Sequence, residues 1–176
     1  EAVHQGVALE TEPLAAKRLG DLSGASLVLV LDQVTDPHNV GAILRSATAF
    51  AADAVVTTTR HSPQEGGVLA KAASGALEHV TQIEVRNLAE ALEELAEHGF
   101  TTIGLDSEGP DTFEESLAGE KLAIVLGAEG KGLRQKTRGT VTKLARLPMP
   151  GAIHSLNVSN AAAIALYAAR RHLGDD

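Results

Sequence analysis

Leu27-Val28-Leu29-Val30-Leu31-Asp32-Gln33-Val34-Thr35-Asp36-Pro37-His38-Asn39-Val40-Gly41-Ala42-Ile43-Leu44-Arg45 carries the backbone pattern from which the architecture follows. Leu27 to Leu31 is apolar without interruption, the pattern of a strand buried on both faces. Asp36-Pro-His-Asn then breaks the chain. Asp36 or Asn39 is placed to cap a helix over about 39–51, with Val40, Ile43, Leu44 and Ala47 on one side. The alternation continues outward. Strands are expected at 54–59, 80–85, 101–105, 122–126 and 142–147, and helices at about 65–73, 87–98 and 157–172, with a turn or short helix near 131–138. In the helix at 87–98, Leu88, Leu92 and Leu95 form an apolar face and the acids occupy the other. Strands alternating with helices give an α/β fold with a mostly parallel, two-sided sheet. Ligands in such folds gather beyond the strand C-termini, here in loops 33–41, 127–132 and 148–157.

The chain has 176 residues, enough for one domain with a full core, and 44% of them are apolar. No apolar run reaches the roughly 18 residues of a spanning helix, and no basic segment leads into an apolar signal region. Cys is absent, which excludes disulfides, thiolate metal sites and a Cys nucleophile. These features set the expectation of a cytoplasmic protein. The net charge of −8 and an aromatic content of 2% exclude a general nucleic-acid-coating protein, which needs a basic surface and stacking platforms. The charge is unevenly distributed. Residues 84–120 hold 11 acids and one base, Arg86, whereas residues 121–171 hold nine bases and one acid, Glu129.

Three constellations carry chemistry. In Asp36 to Arg45, Asn39 and Arg45 are six residues apart, so Arg45 lies about 120° round a helix from Asn39. Both reach one pocket if Asn39 belongs to the loop. An Arg on an otherwise apolar helix needs an anion, either a core carboxylate or a ligand. In Leu126-Gly-Ala-Glu-Gly-Lys-Gly132, three glycines permit close backbone approach. The spacing is neither the dinucleotide fingerprint nor a phosphate-binding P-loop. Glu129 is either the partner of Lys131 or Arg134 in a surface ion pair, or part of a site. In Leu147-Pro-Met-Pro-Gly-Ala-Ile-His-Ser-Leu-Asn-Val-Ser-Asn160, the side chains of Ser155, Asn157, Ser159 and Asn160 exceed what one helix cap requires. They serve either as redundant caps or as a polar site at a positive helix end. His154 is a lone loop histidine and receives no role. None of the other histidines has metal-ligand spacing, so no metal is expected. No G-x-S-x-G elbow supports a serine hydrolase.

Together and in this order, the three loops resemble the motifs of the SpoU (TrmH-like) RNA ribose 2′-O-methyltransferases. The motifs are N-x-G-x-x-x-R (Asn39 to Arg45), G-x-E-x-x-G (Gly127 to Gly132) and S-L-N-V-S (Ser155 to Ser159), and the resemblance covers about residues 27–172. His4-Gln-Gly-Val and Lys71-Ala-Ala-Ser-Gly-Ala-Leu-Glu are most similar to the branch acting on a guanosine of bacterial 23S rRNA. Members of that branch carry a small N-terminal RNA-binding domain before the His-Gln-Gly junction. Residues 1–20 are accordingly expected to be a linker or junction, and residues 21–176 the catalytic domain.

The resemblance implies a SPOUT fold: six strands, mostly parallel, helices on both faces, and a C-terminal part threaded into a deep trefoil knot. Simple connection rules would not predict such a knot. It implies a homodimer that binds S-adenosylmethionine in the knot and methylates a ribose 2′-hydroxyl of RNA. Gly127, Leu147 and Leu156 would contact the donor, with Gly132 in the same Gly-rich loop. Leu126, Leu147, Ile153 and Leu156 would wall the adenine. Arg45 is the implied activator of the hydroxyl, by polarising it or holding a phosphate, since guanidinium keeps its proton too tightly to be an ordinary base. Asn39, Glu129, Ser155 and Asn157 would orient Arg45 and the ribose. Lys131, Arg134, Lys136 and Arg138 would meet RNA phosphates. No membrane or metal partner is implied. The alternatives are a tRNA substrate, or a knotted domain that binds RNA without turnover.

Overall fold

A computed structural model describes residues 17–59 and 67–174. His4-Gln-Gly-Val and most of the expected junction lie outside the described residues. The elements are β1 (Leu27–Asp32), α1 (Pro37–Ala49), β2 (Ala54–Thr58), α2 (Gly67–Ala73), β3 (Thr81–Val85), α3 (Leu88–Glu97), β4 (Thr101–Leu105), β5 (Asp111–Thr112), α4 (Phe113–Ser116), β6 (Leu122–Gly127), α5 (Gln135–Thr140), β7 (Lys143–Arg146) and α6 (Val158–Leu173). Short 3-10 turns occupy Leu19–Asp21 and Ala76–Glu78.

The sheet has seven strands in the order β3-β2-β1-β6-β4-β7-β5, rather than six. The extra strand is β5, a two-residue strand at the edge beside β7. Every pairing is parallel. The apolar run of β1 is divided by the pleat, because successive side chains point to opposite faces. Leu27, Leu29 and Leu31 enter one core with Ile43 and Leu44 of α1 and Ala162 and Leu166 of α6. Val28 and Val30 enter a second core with Leu88, Leu92 and Leu95 of α3. β6 divides the same way, with Leu122, Ile124 and Leu126 on the first face and Ala123 and Val125 on the second. Helices therefore cover both faces.

β6 enters between β1 and β4, and β7 then pairs on the far side of β4. The last third of the chain thus interleaves with earlier strands instead of adding to one edge. α1 lies close to α2. A Cβ at Gly41 would sit 2.4 Å from the Cβ of Ala72 and 2.9 Å from the backbone nitrogen of Ala73. The central Gly of the first motif is therefore required by helix packing. The turn expected at 131–138 resolves into loop residues up to Arg134, followed by α5.

Candidate active site

The loops after β1 and β6 meet at the C-terminal edge of the sheet, where paired β1 and β6 end together at Asp32 and Gly127. The loop after Gly127 folds back on itself. Ala128 and Gly132 form an isolated antiparallel bridge, and Gly130 and Gly132 have positive φ, 74° and 64°. A Cβ on Gly127 would lie 2.2 Å from the carbonyl carbon of Gly132. The close approach at Gly127 is thus to the chain's own backbone rather than to a ligand. Asp32, fully buried, ties this loop down. Its carboxylate accepts from the backbone N–H of Arg134 at 2.9 Å and from Arg134 Nε at 2.6 Å.

Glu129 makes no ion pair with Lys131 or Arg134. One of its carboxylate oxygens, Oε1, instead accepts from Asn157 Nδ2 at 2.5 Å and from the backbone N–H of Val158 at 3.3 Å. Asn157 Nδ2 also donates to Asn39 Oδ1 at 3.0 Å. The other end of the same amide caps α6, with Oδ1 accepting from Ser159 N at 2.8 Å and from Ser159 Oγ at 2.5 Å. The backbone N–H can only donate, so the amide orientation is forced. Asn157 therefore both caps the helix and joins the polar cluster. Asn39 lies in the first turn of α1, not in the loop, and is 8% exposed; Asp36 is the N-cap, accepting from His38 N.

One residue from each of the three motifs meets in this cluster. It borders a cavity of about 260 Å³ lined by the loop residues Gly127, Glu129 and Gly132, by the apolar Leu126, Leu147, Leu156 and Val158, and by Ser155. Leu105, Asp106, Ser107, Met149, His154 and Ala161 complete much of the wall. The residues after β4 went unmarked in the sequence because Asp106-Ser-Glu-Gly-Pro110 carries only ordinary turn residues, with no motif beyond them. Leu126, Leu147, Leu156, Gly127 and Gly132 occupy the positions expected of cavity residues. Ile153 does not, since it is 75% exposed and lies off the cavity wall.

Arg45 also departs from the expected convergence. It is exposed on α1, and no hydrogen bond or ion pair joins it to any described residue, so it neither neutralises a core carboxylate nor takes part in the cluster's hydrogen bonds. Of the four cations expected to meet phosphate, Arg134 pairs with Asp32, and Arg138 pairs with Asp106 and lies 3.6 Å from Glu108. Lys131 and Lys136 are exposed. Arg138 is a structural cation, bracing β4's end against α5.

The sequence model of the SpoU rRNA Methylase family matches residues 26–167. The chain is 43% identical to the 23S rRNA (guanosine-2′-O-)-methyltransferase RlmB of Ralstonia nicotianae, covering 96% of the chain and 70% of that protein. It is 42% identical to the RlmB of Escherichia coli, covering 97% and 72%. Among solved structures, the SpoU methyltransferase AviRb from Streptomyces viridochromogenes in complex with the cofactor AdoMet is similar at 25% identity and a TM-score of 0.75. That match covers 84% of this chain and 57% of AviRb.

Proposed function

The chain belongs to the SpoU rRNA methylase family, and from that premise we propose that it transfers a methyl group from S-adenosylmethionine to a ribose 2′-hydroxyl of RNA, a guanosine of 23S rRNA. One observation carries this reading: Asn39, Glu129 and Asn157, one from each motif, form a single hydrogen-bonded cluster, and its Glu129 lines the 260 Å³ cavity. The cavity suits the donor chemically. Leu126, Leu147, Leu156 and Val158 offer apolar walls for an adenine, and Ser107 and Ser155 offer polar groups for the ribose and amino-acid tail. When bound, the donor supplies an electrophilic methyl on a sulfonium.

The protein's task is to bring the ribose oxygen in line, exclude water and let the hydroxyl proton leave. Glu129 is engaged by Asn157 and Val158, which makes it a positioning residue. Arg45, an exposed cation with no hydrogen bond or ion pair to any described residue, is available to the RNA, where it holds a phosphate or polarises the 2′-hydroxyl. The interleaved order of β6 and β7 supports the trefoil knot of the same reading. A homodimer accords with the apolar side chains left exposed in the loop before α6 and along α6, namely Ile153, Leu156, Ile164 and Tyr167. No helix among the described residues is long and apolar enough to cross a membrane, and the ribosomal RNA reading carries with it a cytoplasmic site of action.

The first test is transfer of labelled methyl to 23S rRNA and to tRNA. A structure described by 2-OH methylation of C/U34 on tRNA is also similar, at 26% identity and a TM-score of 0.77, so preference for tRNA would replace the rRNA reading. Arg45→Ala is expected to lower turnover by about a hundredfold or more with donor binding kept. Near-normal turnover would remove Arg45 from the mechanism.

A further inference from the structure

Besides the donor cavity, the structure has a larger one, of about 600 Å³, at the same C-terminal edge of the sheet. Its wall consists of Thr58 and Thr59 at the end of β2, Arg86 to Ala89 at the start of α3, and Arg134, Lys136 and Thr137 at α5. We propose that this cavity seats backbone phosphate of the RNA strand that flanks the target ribose, a proposal that rests on the RNA-methylation reading.

Four observations converge on an anion. Three of the nine lining residues are cationic and none is acidic. Arg86 is the sole base among the 11 acids of residues 84–120, and it is exposed without an ion pair to any described residue. Arg134 spends its Nε and backbone N–H on Asp32, which leaves its terminal nitrogens without a bond to any described residue. Thr137, 1% exposed, brings a hydroxyl to the same wall. The start of α3 adds its positive dipole end. Nearby Glu90 is held by the amide of Asn87, 2.6 Å away, and does not line the cavity.

Position favours a strand continuous with the donor site over an unrelated small anion. β3, β2, β1 and β6 are consecutive in the sheet, so neighbouring strands spaced about 4.8 Å apart place Arg86 roughly 15 Å along the edge from Gly127. RNA lying along this edge would span both cavities within a few nucleotides. Arg134 closes the second cavity and, through Asp32, anchors the loop that carries Glu129. Phosphate contacts of this kind position the RNA without reading its bases, in keeping with a chain that has few aromatic side chains.

The test is the salt dependence of binding to a 23S rRNA fragment by the full chain and by an Arg86→Gln, Lys136→Gln double variant. Each phosphate contact contributes about 0.7 to 0.9 to the slope of log affinity against log salt. The double variant should therefore lose about 1.4 to 1.8 from that slope, bind RNA about tenfold or more weakly at moderate salt, and keep its donor affinity. Arg86→Lys should retain most of the slope. An unchanged slope and RNA affinity in the double variant would overturn the proposal. So would saturable binding of inorganic phosphate at this cavity that RNA does not displace. Binding is measured without turnover, so absence of methyl transfer in the parent protein would defeat the functional reading separately.

Discussion

Asn157 shows how one side chain caps a helix and joins the three distant motifs. Its carbonyl oxygen caps α6 and its nitrogen reaches Asn39 and Glu129. The two roles can be separated because Ser is also a good N-cap but has no amide to extend. Asn157→Ser is expected to keep the melting temperature within a few degrees while turnover falls by about tenfold or more, through lost orientation of the cluster. A variant that loses stability and activity in parallel would reduce Asn157 to a cap. In the sequence, the surplus of small polar residues at 155–160 left redundant capping and a polar site both open. Which of them reached the site depended on a contact 118 residues away in sequence. The glycines of the loop after β6 were legible as places of close approach, with a ligand as the expected partner, whereas Gly41 carried no such mark. At Gly127 and Gly41 the approaching atoms belong to the protein itself.

Between elements, the tether from Asp32 to Arg134 joins the end of β1 to the loop after β6. Asp32 is fully buried, while Arg134 is 40% exposed, so the guanidinium stays hydrated if the tether is cut. Asp32→Ala also strips the acceptor from the Arg134 backbone N–H. The expected cost is about 2 kcal/mol, close to that of losing charged hydrogen bonds at a partly wet pair. Denaturant unfolding measures it. Donor affinity should fall as well, because the released loop carries Gly127, Glu129 and Gly132; unaltered donor binding would show that the loop holds its shape without the tether. From the sequence, Asp32 reads as a polar residue closing an apolar strand. Glu129 reads equally well as an ion-pair partner for Arg134, since proximity along the chain favours that pairing. The fold chooses otherwise, because Asp32 is aimed at Arg134 across the sheet edge and Glu129 turns toward α6.

Across the whole molecule, the exposed apolar side chains and the uneven charge are the features that matter. Ile164 and Tyr167 lie one turn apart on α6 and are 44% and 55% exposed. Under the homodimer reading they belong to the interface, so Ile164→Glu with Tyr167→Glu should shift the protein from dimer to monomer in sedimentation velocity, with melting lowered at equal concentration. A variant that remains dimeric would place the interface elsewhere. The net charge of −8 does not oppose RNA binding, because its excess acid is concentrated in residues 84–120. Arg86 lies inside that segment but, at the end of β3, joins Arg134 and Lys136 at the second cavity.

The sequence by itself determined the α/β class, the span of six strands within a few residues, the two-sided burial of β1 and β6, and the three motif loops. Each of these follows from local periodicity and turn chemistry, which need no knowledge of distant residues. Only the tertiary structure decided the strand order, with β6 inserted between β1 and β4. It alone set Asn157 against Asn39 and Glu129, turned Arg45 to the surface, committed Arg134 and Arg138 to carboxylates, and left Ile153 off the wall of the 260 Å³ cavity. Those outcomes depend on which strand ends lie side by side and which way each helix faces, and both are settled by long-range packing of the two cores.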